Sequence, residues 1–349
     1  MKINKTAQDL INQLMERHPQ TKLTIGILHK GETSLKLFDQ TGEIPYENHL
    51  YEMGSIGKTF TTSLFAKLVS EEKMSLTDSV AKYIPELDDG KYYPTLGRLA
   101  THTAGYLANY EGQEMKLVAS LMWRYYVQKQ QPLIQDIMKV NKEKLIRFAK
   151  KRKLVDQDYP WVYSNFGMAL LGLAISNVIG TDFLTAMTNF INQELKLTET
   201  VVGSYYDQLL QGYDLKNQVI IPWDVTTVDQ YIAAGAGMFS TATDLLKYAQ
   251  MNLETVPTYL ELTQQHHGKG AVNSGMDMAL GWWLNADEKI WWHAGNTNGC
   301  ATSLAFAKEK DFACVVLANV QSYAEREQLG NEILLANWDE VGVTDDVQH

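Results

Sequence analysis

Ser55 and Lys58 stand three residues apart in YEMGSIGKTFTTSLFAKLVSEEK, residues 51–73, where an apolar run begins. Residues three apart on a helix share a face, so the lysine amine can reach the serine hydroxyl. A serine is a poor nucleophile at its own pKa, and a partly buried lysine with a lowered pKa can serve as its base. A helix N-terminus adds a positive field that favours a developing alkoxide. The same spacing recurs at Ser70–Lys73 and Ser79–Lys82, but those pairs lack flanking glycines, whereas Ser55 lies between Gly54 and Gly57 with FTTSLFAKLV behind it. Taken alone, the pair also fits a serine N-cap beside a solvated lysine. A Gly-x-Ser-x-Gly elbow is excluded, because no serine in the chain has a glycine two positions before it.

Two further groups could complete an acyl-transfer site. Tyr163 and Asn165, in WVYSNFGMALLGLAI, place a phenol and an amide at the entry to a second apolar helix. A tyrosine beside a lysine could have its pKa pulled down and carry protons. His293, Ala294 and Gly295 lie in the strand-like KIWWHAGNTNG, where alternation puts His293 on the face of Trp291 and Gly295 allows close backbone approach. A substrate carbonyl could then take N–H donors from the strand edge. Each group has a decoy: Tyr46-Glu47-Asn48 repeats the tyrosine spacing, and His266-His267-Gly268 reads as a solvated loop. His102 reads as a hydrogen-bonded loop residue. The tryptophan pairs Trp282–Trp283 and Trp291–Trp292 read as strand core, with one of each pair free to wall a cleft.

Composition limits what surrounds these residues. The chain has 349 residues, 45% apolar and 21% charged, an ordinary globular balance that excludes disordered and fibrous classes. A formal net charge of −10 argues against nucleic acid or an anionic membrane as partner. The N-terminus, MKINKTAQDLINQLMERHPQ, has no signal-type apolar core, and MALLGLAISNVIG is too short to span a bilayer. The expectation is a soluble, cytoplasmic protein, or an extracellular one if a leader has been removed. Cys300 and Cys314 fall on neighbouring strand-like runs; pairing Ala307 with Phe312 sets Cys314 opposite Ala305, so no disulfide is expected.

The elements that must position the site follow from periodicity. Residues 6–17 carry a helix pattern, and TKLTIGILHKGETSLKLFDQTGE reads as two strands around HKGE. Helices are expected over 107–153, broken near Pro132, over 164–179, after the Thr241–Asp244 capping pattern, and over 323–338. From Asp277 the texture turns to strands: MALGWWLN, KIWWHAG, CATSLAFA and FACVVLANV. The fold class is α/β (α+β): one antiparallel sheet built from both chain ends and flanked by helices, with a large helical insertion. Residues 1–65 with 265–349 would form the sheet part and 66–264 the helical part of a single module spanning 1–349.

The three groups, in this order, resemble the serine β-lactamase and penicillin-binding-protein superfamily, in the branch of class C β-lactamases, D-alanyl-D-alanine carboxypeptidases and related esterases. Ser55–Lys58 resembles its Ser-x-x-Lys, Tyr163–Asn165 its Tyr-x-Asn, and His293–Gly295 its third motif. LATHTAGY, TDSVAKYIPEL and AGAGMFSTATDLLKYA resemble secondary motifs, so the likeness covers roughly residues 20–320. The resemblance implies Ser55 as acylated nucleophile, with Lys58 and Tyr163 sharing the proton transfers and Asn165 touching the substrate. The N–H groups of Ser55 and Asn296 would form the oxyanion hole, and no metal or cofactor would be required. The family's usual Lys-Thr-Gly is replaced by His293-Ala294-Gly295, which removes a permanent cation and a hydroxyl. This tilts the expectation towards an esterase or a hydrolase of D-amino-acid peptides, acting on a small-molecule or peptide substrate. A true β-lactamase or carboxypeptidase, and a non-catalytic ligand-binding member, remain the alternatives. QDYPWVYSN replaces the family's Pro-Gly before the tyrosine, and 107–153 would form a helical lid.

Overall fold

The structure is a computed structural model that describes residues 1–107, 141–203, 209–220, 230–270, 276–287, 289–321, 329–330 and 332–333. The expected lid and the final helix fall mostly outside the described residues, as do Asp224 and Asp229, read as turn and cap residues.

Helix α1 (Lys5–Arg17) forms as its periodicity requires, with the Asn4 side chain capping Ala7 N and Ala7, Leu10, Ile11, Leu14 and Met15 buried. Strands β1 (Leu23–His29) and β2 (Glu32–Asp39) then make a hairpin in which His29 pairs with Glu32. Lys30 and Gly31 both take positive φ at its two-residue turn, the twist that matches paired strands. Next come β3 (Gly42–Ile44), β4 (Tyr51–Glu52), α2 (Gly57–Ser70), α3 (Leu96–Ala100), α4 (Lys142–Lys151), α5 (Asn165–Ile179) and α6 (Phe183–Asn189). Short strands β5 (Val201–Val202), β6 (Gly212–Tyr213), β7 (Val219–Ile220) and β8 (Met238–Ser240) lead into α7 (Ala242–Glu254) and α8 (Leu260–Gln264). The chain closes with β9 (Gly268–Lys269), β10 (Asp277–Met278), β11 (Trp283–Asn285), β12 (Ile290–Asn296), β13 (Ala301–Ala307) and β14 (Phe312–Ala318).

The main sheet is antiparallel throughout, in the order β3-β2-β1-β14-β13-β12-β11-β10-β9. The first strand of the chain therefore pairs inside the sheet with the last described one. One face carries Ile25, Ile27, Cys314 and Val316 against α1 and the helical residues Leu329 and Ile333. The other carries Leu28, Leu304, Phe306, Val315 and Leu317 against the helical side of the molecule. Ala305 sits opposite Cys314, the predicted register, and both cysteines are free and buried.

Two strand readings need correction. MALGWWLN is not one strand but the hairpin β10–β11, in which Met278 pairs with Trp283. Gly281 turns it with φ +73, and a Cβ there would lie 2.4 Å from Thr62 Oγ1 on α2, so the turn is pressed against the helix carrying Lys58. The HHGKG loop contains the edge strand β9, and His266 pairs with Asp277 at 2.8 Å.

Helix α5 is apolar around its whole circumference because it is buried on all sides, from Phe166 to Ser176 without interruption. Among the described residues no single helix is long and apolar enough to cross a membrane.

Candidate active site

The chain enters the site from β4, which pairs with β8, and turns through a single 3₁₀ turn at Gly54–Ile56 into α2. Gly54 takes φ +54, and a Cβ on it would lie 2.9 Å from the Asn296 backbone nitrogen. Strand β11 pairs with β12 only as far as Trp292, and beyond that point the Ser55 turn lies against β12. Gly295 is the tightest position in this contact: a Cβ there would lie 1.9 Å from the Met53 carbonyl oxygen. Thr302, opposite Gly295 on β13 and fully buried, donates its hydroxyl to that same carbonyl at 2.9 Å. The Gly295 carbonyl lies 3.4 Å from the same hydroxyl. One side chain thus fastens the Ser55 turn to the strand beside it.

Lys58, the second residue of α2, is completely buried, with Nζ 2.9 Å from Ser55 Oγ and donating to the Gly235 carbonyl at 2.7 Å. Burial away from water disfavours the ammonium and brings its pKa down to about 7. An amine at that pKa can keep its bond to Gly235 and turn its lone pair to the Ser55 hydroxyl. The Tyr163 ring centroid lies 4.7 Å from Lys58 Nζ. Burial drives the phenol pKa well above its ordinary value, only partly offset by its interaction with the Ser55 side chain. The expectation of a lowered tyrosine pKa is therefore reversed, because burial away from water disfavours the phenolate. At neutral pH the phenol holds its proton and the lysine is the group able to accept one.

Tyr163 is held just before α5, whose N-cap Ser164 accepts from Gly167 N at 2.9 Å and donates to the Leu107 carbonyl at 2.8 Å. Asn165 is the first residue of that helix. His293 is buried on β12, its Nδ1 lies 2.8 Å from the Ala294 carbonyl, and its ring centroid is 6.4 Å from that of Tyr163. Asn296 brings its backbone nitrogen to the Ser55 turn, and its buried Oδ1 has no hydrogen-bond partner. Ser55, Lys58, Tyr163, His293, Gly295 and Asn296 thus converge, although they come from three distant stretches of chain.

The decoys do not join them. Ser79 caps Ala81 N while Lys82 pairs with Asp78, Ser70 donates to its own helix, and Tyr46 donates to Asn48 on the surface. Strand alternation splits the tryptophans: Trp282 and Trp291 pack on Phe306, while Trp283 and Trp292 stack on each other 5.8 Å apart. Trp161 bridges Trp283, 4.8 Å away, to Tyr163, 6.2 Å away. Three contributors escaped sequence reasoning. The Gly235 carbonyl is a backbone group, which no residue type betrays. Thr302 could have been found from the β12–β13 register. His102, read as a loop residue, packs its ring 4.6 Å from that of Tyr163. Among the described residues no group of three or more His, Cys, Asp or Glu side chains gathers as metal ligands.

The family model described as Beta-lactamase matches residues 7–337. The chain belongs to that family. A beta-lactamase of Providencia stuartii is 26% identical over 273 residues, covering 74% of this chain and 63% of its own length. Protein flp of Staphylococcus aureus strain N315 is 24% identical, covering 78% of this chain and 53% of its own length. The chain thus spans less than two thirds of these two relatives. A solved beta-lactamase/D-alanine carboxypeptidase from Pseudomonas syringae superposes with a TM-score of 0.74 at 22% identity, covering 94% of this chain and 97% of that one. At that identity the likeness establishes the fold: a beta-lactamase fold with its antiparallel sheet. Within the family, the third motif here reads His293-Ala294-Gly295.

Proposed function

We propose that the protein is a serine hydrolase that forms an acyl-enzyme at Ser55 on ester or amide substrates. The observation that carries the reading is the completely buried Lys58 amine, 2.9 Å from Ser55 Oγ, with a pKa brought down to about 7. Neutral Lys58 accepts the hydroxyl proton as Ser55 Oγ attacks the carbonyl carbon. The oxyanion forms between the Ser55 and Asn296 N–H groups, on a turn and strand already fixed by Thr302. The proton passes to the leaving group through the Lys58–Tyr163 pair, the phenol giving its proton as it takes one from the lysine. Water then attacks the ester carbonyl by the same route in reverse, giving the acid and free Ser55. Asn165, at the head of α5, contacts the substrate.

Strand β12 supports one substrate class over another. Nδ1 of His293 is engaged by the adjacent Ala294 carbonyl, and Ala294 has no hydroxyl, so neither residue offers a fixed cation and hydroxyl for a substrate carboxylate. This favours small esters or D-amino-acid peptides over efficient β-lactam turnover. The second reading, β-lactamase or D-Ala carboxypeptidase, is supported by the similarity to the Providencia beta-lactamase and the Pseudomonas beta-lactamase/D-alanine carboxypeptidase.

Intact-mass spectrometry after incubation with a fluorophosphonate tests the mechanism, with Ser55→Ala as control. One adduct, absent from the variant, is expected. No adduct on the parent protein overturns the hydrolase and leaves a ligand-binding protein on the same fold. Panels of p-nitrophenyl esters, nitrocefin and D-Ala peptides then separate the substrate classes.

A further inference from the structure

Tyr163 lies in the irregular stretch just before α5, with no strand or helix of its own to fix it. Its neighbours on both sides are tied to one residue. Val162 N donates to the His102 backbone carbonyl at 2.9 Å, and Ser164 N donates to the His102 ring at Nδ1, 3.2 Å away. Between those two bonds the His102 ring lies 4.6 Å from the Tyr163 ring. Accepting at Nδ1 requires the neutral tautomer with its proton on Nε2. Burial first, then the charges of Lys58 and His293, hold the imidazole well below its ordinary pKa, in keeping with that tautomer.

The position carries two local penalties. His102 adopts φ +60, a left-handed conformation that few residues other than glycine take, although histidine takes it more readily than most. Its Nε2, on a side chain 2% exposed, has no hydrogen-bond partner, and a buried unmet donor costs about 1–3 kcal/mol. Strained backbone and unmet polar groups persist where surrounding structure holds them for a purpose, and here both fall on the residue that brackets the phenol.

We infer that His102 is a positioning residue for Tyr163, holding the phenol against Ser55 through bonds to the residues on either side of it. The inference rests on the serine-hydrolase reading for its kinetic consequence and on geometry alone for its structural one. His102→Leu keeps an apolar ring-sized side chain but loses the acceptor. His102→Asn places Oδ1 where Nδ1 stood and tolerates positive φ.

The test is a double-mutant cycle with Tyr163→Phe, read as the rate of fluorophosphonate acylation and as kcat and KM on the best ester. His102→Leu should lower acylation and kcat by about 100-fold with KM within about threefold, since a small misplacement of a reacting group has that effect. His102→Asn should recover most of the loss. In the Tyr163→Phe background, His102→Leu should cost less than about threefold more, because the group it positions is already gone. Equal losses in both backgrounds would mark His102 as merely structural and overturn the inference. Crystal structures of the folded variants decide it independently of turnover: Tyr163 should leave Ser55 in the leucine variant and stay in the asparagine one. An unmoved Tyr163 in the leucine variant overturns the inference even if the enzyme is active. A displaced Tyr163 in a protein that never labels would uphold it while sinking the hydrolase reading.

Discussion

In the proposed mechanism Lys58 and Tyr163 divide the proton chemistry by environment and not by residue type. Both are buried, and burial disfavours whichever form is charged, so it moves the lysine pKa down to about 7 and the tyrosine pKa up. The result is a base that is half neutral near physiological pH beside a phenol that stays protonated. This ordering predicts the acid limb of the rate profile. kcat/KM should rise with pH through an apparent pKa of about 7, because protonated Lys58 has no lone pair to offer Ser55. Stopped-flow acylation between pH 5.5 and 9 measures it directly. A flat profile across that range would remove Lys58 from the role of base. The residue types were legible here, since Ser55, Lys58, Tyr163 and His293 all announce themselves by spacing. The direction of the tyrosine shift was not, because it depends on how much water the fold removes.

At the scale of elements, the site is a joint between the 3₁₀ turn before α2 and the end of β12 that lies beyond its pairing with β11. The strand edge can approach only because Gly54 and Gly295 have no side chains, and the two are held by the hydroxyl of Thr302 on the next strand. Thr302→Val keeps the shape and removes the bond, leaving the Met53 carbonyl buried without that donor. It should lower kcat by about tenfold, the effect of roughly 1.4 kcal/mol on an oxyanion geometry, with Thr302→Ser close to the parent. Binding of a phosphonate transition-state analogue should weaken in parallel while substrate KM hardly changes. Unchanged analogue affinity in Thr302→Val would show that the clamp does not set the oxyanion hole. The sequence announced this joint through its glycines and through a hairpin register that holds from Ala305–Cys314 to Ala307–Phe312. It concealed the break at Gly281, where MALGWWLN alternates like a strand yet folds back on itself to pack against Thr62. Contact with a distant helix decides that turn, and local periodicity carries no record of it.

At the scale of the whole molecule, β1 and β14 pair inside one sheet, so strands from both ends of the chain build the frame on which the stretches at 53–58, 161–165 and 293–296 meet. That architecture was readable from strand-like texture at both ends with a helical middle. The same global fold buries the lysine that the chemistry needs, and its stability should show the strain. Folding lowers the Lys58 pKa from 10.5 to about 7. Below pH 7 both folded and unfolded chains hold the proton and the full penalty of a buried ammonium is present. As pH rises from 7 towards 10.5, the unfolded chain binds a proton that the folded one lacks, so stability increases with pH. Between pH 7 and 8.5, short of the range where the raised thiols of Cys300 and Cys314 begin to oppose it, the gain should be about 2 kcal/mol. Lys58→Met removes the titration and fills the site with an apolar chain of similar length. It should abolish acylation, flatten the dependence of Tm on pH in this window, and unfold at a higher temperature than the parent at pH 7. The net gain there should be about 2 kcal/mol, because the lost ammonium penalty exceeds the cost of leaving the Gly235 carbonyl without its donor. Scanning calorimetry at pH 6.5, 7.5 and 8.5 on both proteins makes the comparison. A Lys58→Met protein less stable than the parent at every pH would mean that the lysine is held for structure, and that its burial carries no tension between stability and catalysis.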